Sequence, residues 1–431
     1  MRIIKLTEET RKEALEKLIG RSPAGYPEQE KAVSEIIEAV RTRGDQAVLE
    51  YEEKFDRCKM TADQLRVTPE EIREAYESLD PAFVDVMRKA AENIRVYHEK
   101  QKVNSWITTR EDGVILGQKI TPIEVSGCYV PGGRAVYPSS VLMNIVPAKV
   151  AGVEKIIMVT PPGPDGKVPA GSVVAADIAG ATEIYKAGGA QAIAAMAYGT
   201  ETIPKADKIT GPGNIYVALA KKACFGVTGI DSVAGPSEIL VIADETANAR
   251  YVAADLLSQA EHDPMASAIL LTTSQALAQA VSQEIDGFLQ KLSRAGIIRE
   301  SLDQYGYIFV GDTMDDLVEA ANTIASEHLE IVTADPFSVM TGIRNAGAVF
   351  LGSYSSEPLG DYFAGPNHIL PTNGTARFFS PLGVDQFIKR TSIISYSKQA
   401  LEKVHEDIEL FAMNEGLDAH ANSIRVRFER F

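Results

Sequence analysis

The sequence predicts an α/β chain built from two parallel-sheet units, and three observations carry that expectation. From Tyr129 to about Ser237, strand-like and helical segments take turns: KIIMVTPP, SVVAADIAG, ATEIYKA, GGAQAIAAMAYG, KADKITGPG, NIYVALAKKACFG. After IDSVAGPSE the alternation resumes with ILVIAD, NARYVAADLLSQAEHD, AILLTTS, QALAQAVSQEIDGFLQKL, YIFVGD, MDDLVEAANTIASEHL, EIVTAD and AVFLGS. Strands separated by crossover helices pair in parallel, and the helices cover both faces of the sheet. Finally, two glycine-rich loops, VPGGRAVYPSS and TGPGNIY, lead into helices and would present backbone N–H groups to an anion. Neither is G-x-G-x-x-G, so spacing alone names no dinucleotide.

The elements before the first unit read differently. Residues 1–24 form an arm: a β-like MRIIKL, a helix TEETRKEALEKLI and the turn-rich GRSPAGYP. From Glu28 to Lys102 the pattern is helical, broken at Gly44. Proline opens helices at Pro27, Pro69 and Pro81, where its missing N–H does least harm. Short strand-like pieces, VILGQKI, TPIEVSG and CYVPGG, mark a boundary across 106–131. The helical stretch has no sheet of its own and must pack on another unit. Residues 25–128 are therefore grouped with 238–379 as one α/β unit, and 129–237 form the other. Residues 380–431 are a tail, with a strand-like RTSIISYS and a helix KQALEKVHEDIELFAMNEG.

Composition narrows the function classes. The 431 residues are 45% hydrophobic and 24% charged, ordinary for a globular chain of about two to four domains. Lys and Arg total 43 against 59 Asp and Glu, a net charge of −16, which argues against a broad nucleic-acid or anionic-membrane face. No apolar run approaches the roughly 18 residues of a membrane helix, and the N-terminus lacks an apolar leader. Cys58, Cys128 and Cys224 show no metal or redox spacing and point to a reducing compartment. A cytoplasmic enzyme is expected.

The chemistry-bearing residues are few. In LLSQAEHDPMA, Gln259 and His262 lie at i and i+3 on one face of a helix that Asp263–Pro264 ends. An amide oxygen and an imidazole there suit a borderline cation such as zinc, although an isolated pair of this kind more often hydrogen-bonds the following loop. Of the 6 histidines, His98 and His405 stand among charged helical residues and read as solvated. Glu327 and His328 sit side by side where a helix leads into a strand, the kind of junction where α/β folds hold ligands, and could act as acid and base. The segment EPLGDYFAGPNHILP carries Asp361 and His368 in what reads as a loop, for binding or for connection. Glu415 and His420 follow the terminal helix in NEGLDAHANS, a place where such residues are usually solvated. Residue chemistry alone reaches a metal-assisted enzyme.

Longer motifs carry a resemblance. GCYVPGGRAVYPSSVLMNIVPAKVAGV, ITGPGNIYVALAKK, DSVAGPSEILVIAD, DLLSQAEHD, SEHLEI and GPNHILPTNGTARFFSPLGVDQFIKRTS occur in this order. From about residue 28 to the C-terminus the sequence resembles the histidinol dehydrogenase family. The resemblance implies two Rossmann-like parallel-sheet units without the glycine fingerprint, a small arm and a tail. It implies oxidation of L-histidinol to L-histidine through bound L-histidinaldehyde, the last step of histidine biosynthesis, with two NAD⁺ per turnover and one Zn²⁺ per subunit. Gln259, His262, Asp361 and His420 would ligate zinc, and Glu327 and His328 would form the acid/base pair. Ser237, His368 and Glu415 would contact substrate beside Glu327 and the metal ligands, while Tyr129, Gln191 and Asn214 would line the NAD site. The resemblance further implies a homodimer whose C-terminal tail reaches the partner's active site. The alternatives are an NAD-dependent dehydrogenase of another amino alcohol, a zinc hydrolase in which Glu327 activates water, and a non-catalytic protein in which zinc joins subunits.

Overall fold

Proline and glycine set the helix boundaries of the N-terminal third. The computed structural model describes residues 1–19, 25–132 and 137–429. It opens with β1 (Arg2–Lys5) and α1 (Glu8–Ile19), followed by α2 (Pro27–Arg43), α3 (Asp45–Phe55), α4 (Pro69–Ser78) and α5 (Pro81–Glu99). Pro27, Pro69 and Pro81 begin their helices as expected, and Gly44, at φ 54°, separates α2 from α3. Thr68 and Glu71 close a reciprocal capping box on α4, satisfying two N–H groups that the helix leaves over.

The strands and helices then alternate. They are β2 (Trp106–Thr109), β3 (Ile115–Pro122), β4 (Val125–Tyr129), α6 (Pro138–Ala151), β5 (Lys155–Thr160), α7 (Ala170–Ala179), β6 (Glu183–Lys186), α8 (Gly189–Tyr198), β7 (Lys208–Thr210), α9 (Ile215–Cys224) and β8 (Gly229–Ile230). The second run is β9 (Glu238–Ala243), α10 (Ala249–Ala260), β10 (Ser267–Thr272), α11 (Gln275–Leu289), α12 (Ala295–Tyr305), β11 (Gly306–Val310), α13 (Met314–Ile324), β12 (His328–Val332), α14 (Pro336–Met340), β13 (Ala348–Leu351) and α15 (Glu357–Tyr362). The chain closes with β14 (Ile388–Ser395), α16 (Lys398–Glu402), α17 (His405–Asn414) and α18 (Asp418–Arg425). Part of the VPGGRAVYPSS loop and the end of the arm lie outside the described residues.

Met1–Gln101 with Ile123–Phe387 forms one unit, and it holds both parallel sheets. The five-stranded sheet runs β6-β5-β4-β7-β8. Counted along the chain this is the order 3-2-1-4-5 of a doubly wound sheet, reversing between β4 and β7. In the six-stranded sheet, β1-β11-β10-β9-β12-β13, the strands β9 to β13 repeat that order and β1 adds outside β11. The expected α/β class is thus what the chain adopts. Every residue of β9 and β10 is buried, as strands covered on both faces must be, which is why they read as unbroken apolar runs.

The helices between Pro27 and Glu99 pack on the five-stranded sheet, not with 238–379 as grouped from the sequence. Helix α2 packs on α8 and α9, α4 on α7, and α5 on α6. Val33, Ile36 and Val40 share a core with Ile157, Ile193 and Met196, while Val84, Met87 and Ile94 share one with Leu142, Met143 and Ile145. The reason is that α6 and α8 are apolar all round, with Val141–Ala148 entirely buried, so a second helical layer must cover them. The sheet also begins at Val125 rather than at Tyr129.

Lys102–Pro122 and Ile388–Phe431 form the other unit. Strand β14 pairs antiparallel with β3 from Ile388↔Pro122 to Ser395↔Ile115, and β2 pairs with the opposite edge of β3. The strand-like pieces between 102 and 122 therefore join the tail, whereas Val125–Tyr129 belongs to the five-stranded sheet. Its expected single helix is two, α16 and α17, because Val404 leaves helical geometry at φ −129°, ψ 0°. Helix α18 follows and packs on α17. Among the described residues no helix is long and apolar enough to cross a membrane, and the three cysteines are free and buried.

Candidate active site

His328 opens β12 beside β9. Its Nδ1 lies 3.0 Å from the Glu238 carbonyl, which can only accept, so Nδ1 carries the proton and Nε2 the lone pair. That Nε2 is buried and has no hydrogen-bond partner. Burial pulls the ring's pKa down to about 4, so it is neutral near pH 7. Glu327 Oε2 accepts the Glu238 N–H at 2.9 Å and lies 3.6 Å from His328 Nδ1. Burial, with the charges of Glu238, Asp361 and Glu357, raises Glu327 well above the carboxylate range. The backbone here is constrained: Ala325 ends α13 at φ 53°, and a Cβ on Gly347 would fall 2.5 Å from the Glu327 carbonyl oxygen. Only glycine lets the start of β13 approach the Glu327 peptide so closely.

The segment Glu357–Pro371 is not wholly a loop. It starts as α15, with a proline in its first turn, and this sets Glu357 and Asp361 one turn apart. Burial would raise Asp361, but the His368 ring, 3.3 Å from Asp361 Oδ1, and the His328 ring hold it at about 2. His368 Nδ1 also lies 3.1 Å from the Asp361 carbonyl, and its Nε2 meets Ser140 Oγ at 3.2 Å. Glu357 Oε1 stands 3.9 Å from His328 Nε2, its N–H donates to Glu330, and Ser258 donates to its Oε2. Burial and the nearby Asp361 raise Glu357 to about 9. Ligand atoms of His328, Glu357 and Asp361 all lie within 4.8 Å of one another.

Helix α10 packs on α15 and brings up Gln259, which is 2% exposed and whose Oε1 has no partner. His262 lies just beyond the helix end, exposed. The orphaned Gln259 Oε1 is the kind of neutral oxygen that a borderline dication would satisfy, while the ligand atoms that the fold draws into one cluster are those of His328, Glu357 and Asp361. Ser237, half-buried, immediately precedes Glu238, and its carbonyl accepts the Ser267 N–H. Glu415 closes α17 and His420 lies on α18, both exposed in the other unit.

Glu327 and His328 do stand where a helix leads into a strand, but that junction is the amino end of β12, whereas doubly wound sheets usually hold ligands at carboxyl ends. Ser140, at the start of the helix after β4, meets His368, so the carboxyl end of the five-stranded sheet opens onto the same place. His98, read as solvated, is fully buried: Nδ1 meets the Ile94 carbonyl at 2.8 Å, and Asn367, bonded to the Met143 carbonyl, reaches its Nε2. Val84, Met87, Ala91, Ile94 and His98 share one helical face, a spacing visible in the sequence beneath the charged neighbours. His405 is half-buried against Phe428.

Tyr129, Gln191 and Asn214 lie at the carboxyl end of the five-stranded sheet. Tyr129 ends β4 and its hydroxyl accepts the Gly189 N–H at 3.1 Å. Gln191 Nε2 and the Gly188 N–H both donate to Glu52 Oε1 at 2.9 Å, and Asn214 caps α9. Gly211, at φ 117°, sets the Gly211–Asn214 turn against β4: a Cβ there would fall 2.0 Å from the Tyr129 carbonyl oxygen. These two elements meet where the strand order reverses, the crevice in which such sheets bind dinucleotides. Reading the sequence missed Glu52, Ser140, Glu238 and Glu357. Each owes its place to another segment of chain, so no local signal could have found it.

A neutral imidazole beside a basic carboxylate, at the mouth of a doubly wound sheet, is the layout of an α/β enzyme built for proton transfer. The chain belongs to the histidinol dehydrogenase family, whose model matches residues 20–428. It is 58% identical over 407 residues to the histidinol dehydrogenase of Bacillus subtilis (strain 168), covering 94% of this chain and 95% of that one. It is 56% identical over 407 residues to that of Geobacillus kaustophilus (strain HTA426), covering 94% and 96%. The crystal structure of histidinol dehydrogenase from Elizabethkingia anophelis superposes with a TM-score of 0.93 at 39% identity, covering 99% of this chain and 98% of that one. The protein is an oxidoreductase, which sets aside the hydrolase and non-catalytic alternatives.

Proposed function

We propose that the protein catalyses the zinc-dependent, NAD-linked four-electron oxidation of L-histidinol to L-histidine through a retained L-histidinaldehyde, the last step of histidine biosynthesis. The observation that carries it is the buried, unpartnered Nε2 of His328, 3.9 Å from Glu357, in a chain of this family. When bound, zinc supplies a template for the substrate amine and imidazole, and NAD⁺ supplies the hydride acceptor for each oxidation. Gln259, His262 and Asp361, with His420, are the residues to hold the metal. Tyr129, Gln191 and Asn214 are those to hold the dinucleotide.

His328 accepts the alcohol proton at Nε2 in the first oxidation; its Nδ1–H bond to Glu238 keeps that lone pair in place. Glu327, made a stronger base than a surface carboxylate by its burial, takes a proton from the water that adds to the aldehyde. His368 holds Asp361 ionised and stands with Ser237 to contact substrate. Glu415 and His420 complete the site of a partner subunit in a homodimer. Their exposure, beside the exposed Leu410, Phe411, Met413 and Leu417, supports that reading.

The test is stoichiometric. Limiting L-histidinol with excess NAD⁺ and zinc-loaded protein should give two NADH per substrate. One NADH would make the protein a dehydrogenase that releases its aldehyde, and none would overturn the reading.

A further inference from the structure

A buried ion pair holds the peptide of Gly211 from both sides. Lys221, on the inward face of α9 with Val217 and Cys224, is 2% exposed and donates from Nζ to the Gly211 carbonyl at 2.9 Å. Asp231, whose side chain is 6% exposed, pairs with Lys221 and accepts the Gly211 N–H on Oδ2 at 2.8 Å. Its Oδ1 accepts the Ser232 N–H at 2.7 Å. The acid–base machinery uses neither residue.

Two charges taken out of water gain little stability over apolar side chains of the same size, because desolvation offsets their attraction. What this pair supplies is geometry. The N–H and C=O of Gly211 each find their partner in it, so the turn cannot change course without breaking a charge-assisted bond. The turn also lies against the Tyr129 carbonyl in a left-handed backbone conformation, and three residues later Asn214 opens α9.

The geometry points to Lys221 and Asp231 as the positioning pair for the dinucleotide: they fix the Gly211–Asn214 turn in the one course that holds Asn214 across the strand-order reversal from Tyr129. The inference rests on the NAD reading above. Neither side chain touches the cofactor; both act through Gly211, so their loss weakens cofactor binding and leaves proton transfer in place. The chain beyond Asp231 is tied separately, by Gly235 N–H to Thr372 Oγ1 at 2.7 Å and by Glu238 N–H to Glu327. The substrate end therefore keeps its place when Asp231 is altered.

The experiment is to compare wild type, Asp231→Asn and Lys221→Met as zinc-loaded full chains. NAD⁺ binding is measured by titration calorimetry, and initial rates are taken with each substrate varied. The asparagine is isosteric and keeps an acceptor for Gly211, so it decides the matter if Lys221→Met does not fold. The expected result is at least a tenfold rise in Kd and KM for NAD⁺, with kcat and KM for L-histidinol within threefold of wild type. A folded Asp231→Asn with KM for NAD⁺ within twofold, or with kcat and both KM values worsened alike, overturns the inference alone. A wild type that neither binds NAD⁺ nor forms NADH overturns the NAD reading, and the inference with it.

Discussion

The imidazole of His328 is joined to the backbone carbonyl of Glu238 by a 3.0 Å hydrogen bond between neighbouring parallel strands, and its Nε2 is left 3.9 Å from Glu357. A carbonyl fixes one tautomer as firmly as a carboxylate would, without adding a charge. The ring therefore remains a neutral base in a buried site. His328→Asn places an amide N–H where Nδ1 stood and removes Nε2. We expect kcat to fall by about 10²–10⁴ with the melting temperature nearly unchanged. Steady-state rates and a thermal melt check this; a kcat within tenfold of wild type would deny His328 its role.

Glu327 and His328 share Glu238 but not a task. Glu327→Gln keeps an acceptor for the Glu238 N–H and loses the ability to take a proton from water. We expect NADH formation from L-histidinaldehyde to slow by about 10²-fold or more, and the alcohol step to slow less. Rates measured separately from alcohol and from aldehyde distinguish the two halves, and equal losses would contradict the division of labour.

Metal loss should be separable from unfolding. His262 is exposed, so His262→Asn removes the proposed ligand without opening the core. Zinc content by elemental analysis should fall well below one per chain and activity to less than about a tenth, the scale on which a perturbed metal site loses function. A chelator should do the same to wild type, reversed by added zinc. Full zinc content in the variant would remove His262 from the ligand set.

Beneath Gln191, Glu52 makes a pH prediction. It is fully buried, and burial raises its pKa from 4.5 to about 8 in the fold. The folded chain binds this proton more tightly than the unfolded chain. The resulting stability is complete below the unfolded pKa and is lost as pH rises through about 8. Glu52→Gln keeps the bonds to Gly188 and Gln191 and cannot ionise. Urea unfolding from pH 5 to 9 should show wild-type stability declining by up to on the order of a few kcal/mol, and the variant declining less. Parallel pH profiles would show that Glu52 ionises in the fold as it does unfolded.

The sequence by itself determined which elements form and in what order. Period, proline and glycine are local, so Pro27, Pro69 and Pro81 open helices, Gly44 breaks one, and two alternating runs become two parallel sheets. It also held the motifs that place Gln259, His262, Glu327, His328 and Asp361 in one family. Only the tertiary structure decided which sheet the N-terminal helices cover and that 102–122 joins the tail. It likewise set the Glu238 carbonyl against His328 and made His98 a core residue. Those outcomes depend on contacts between segments far apart in the chain, where the burial of an apolar helix such as α6, or of a lone pair such as Nε2 of His328, is settled by neighbours that no local pattern names. Lys221 makes the same point: only the fold sets Asp231 and Gly211 against it.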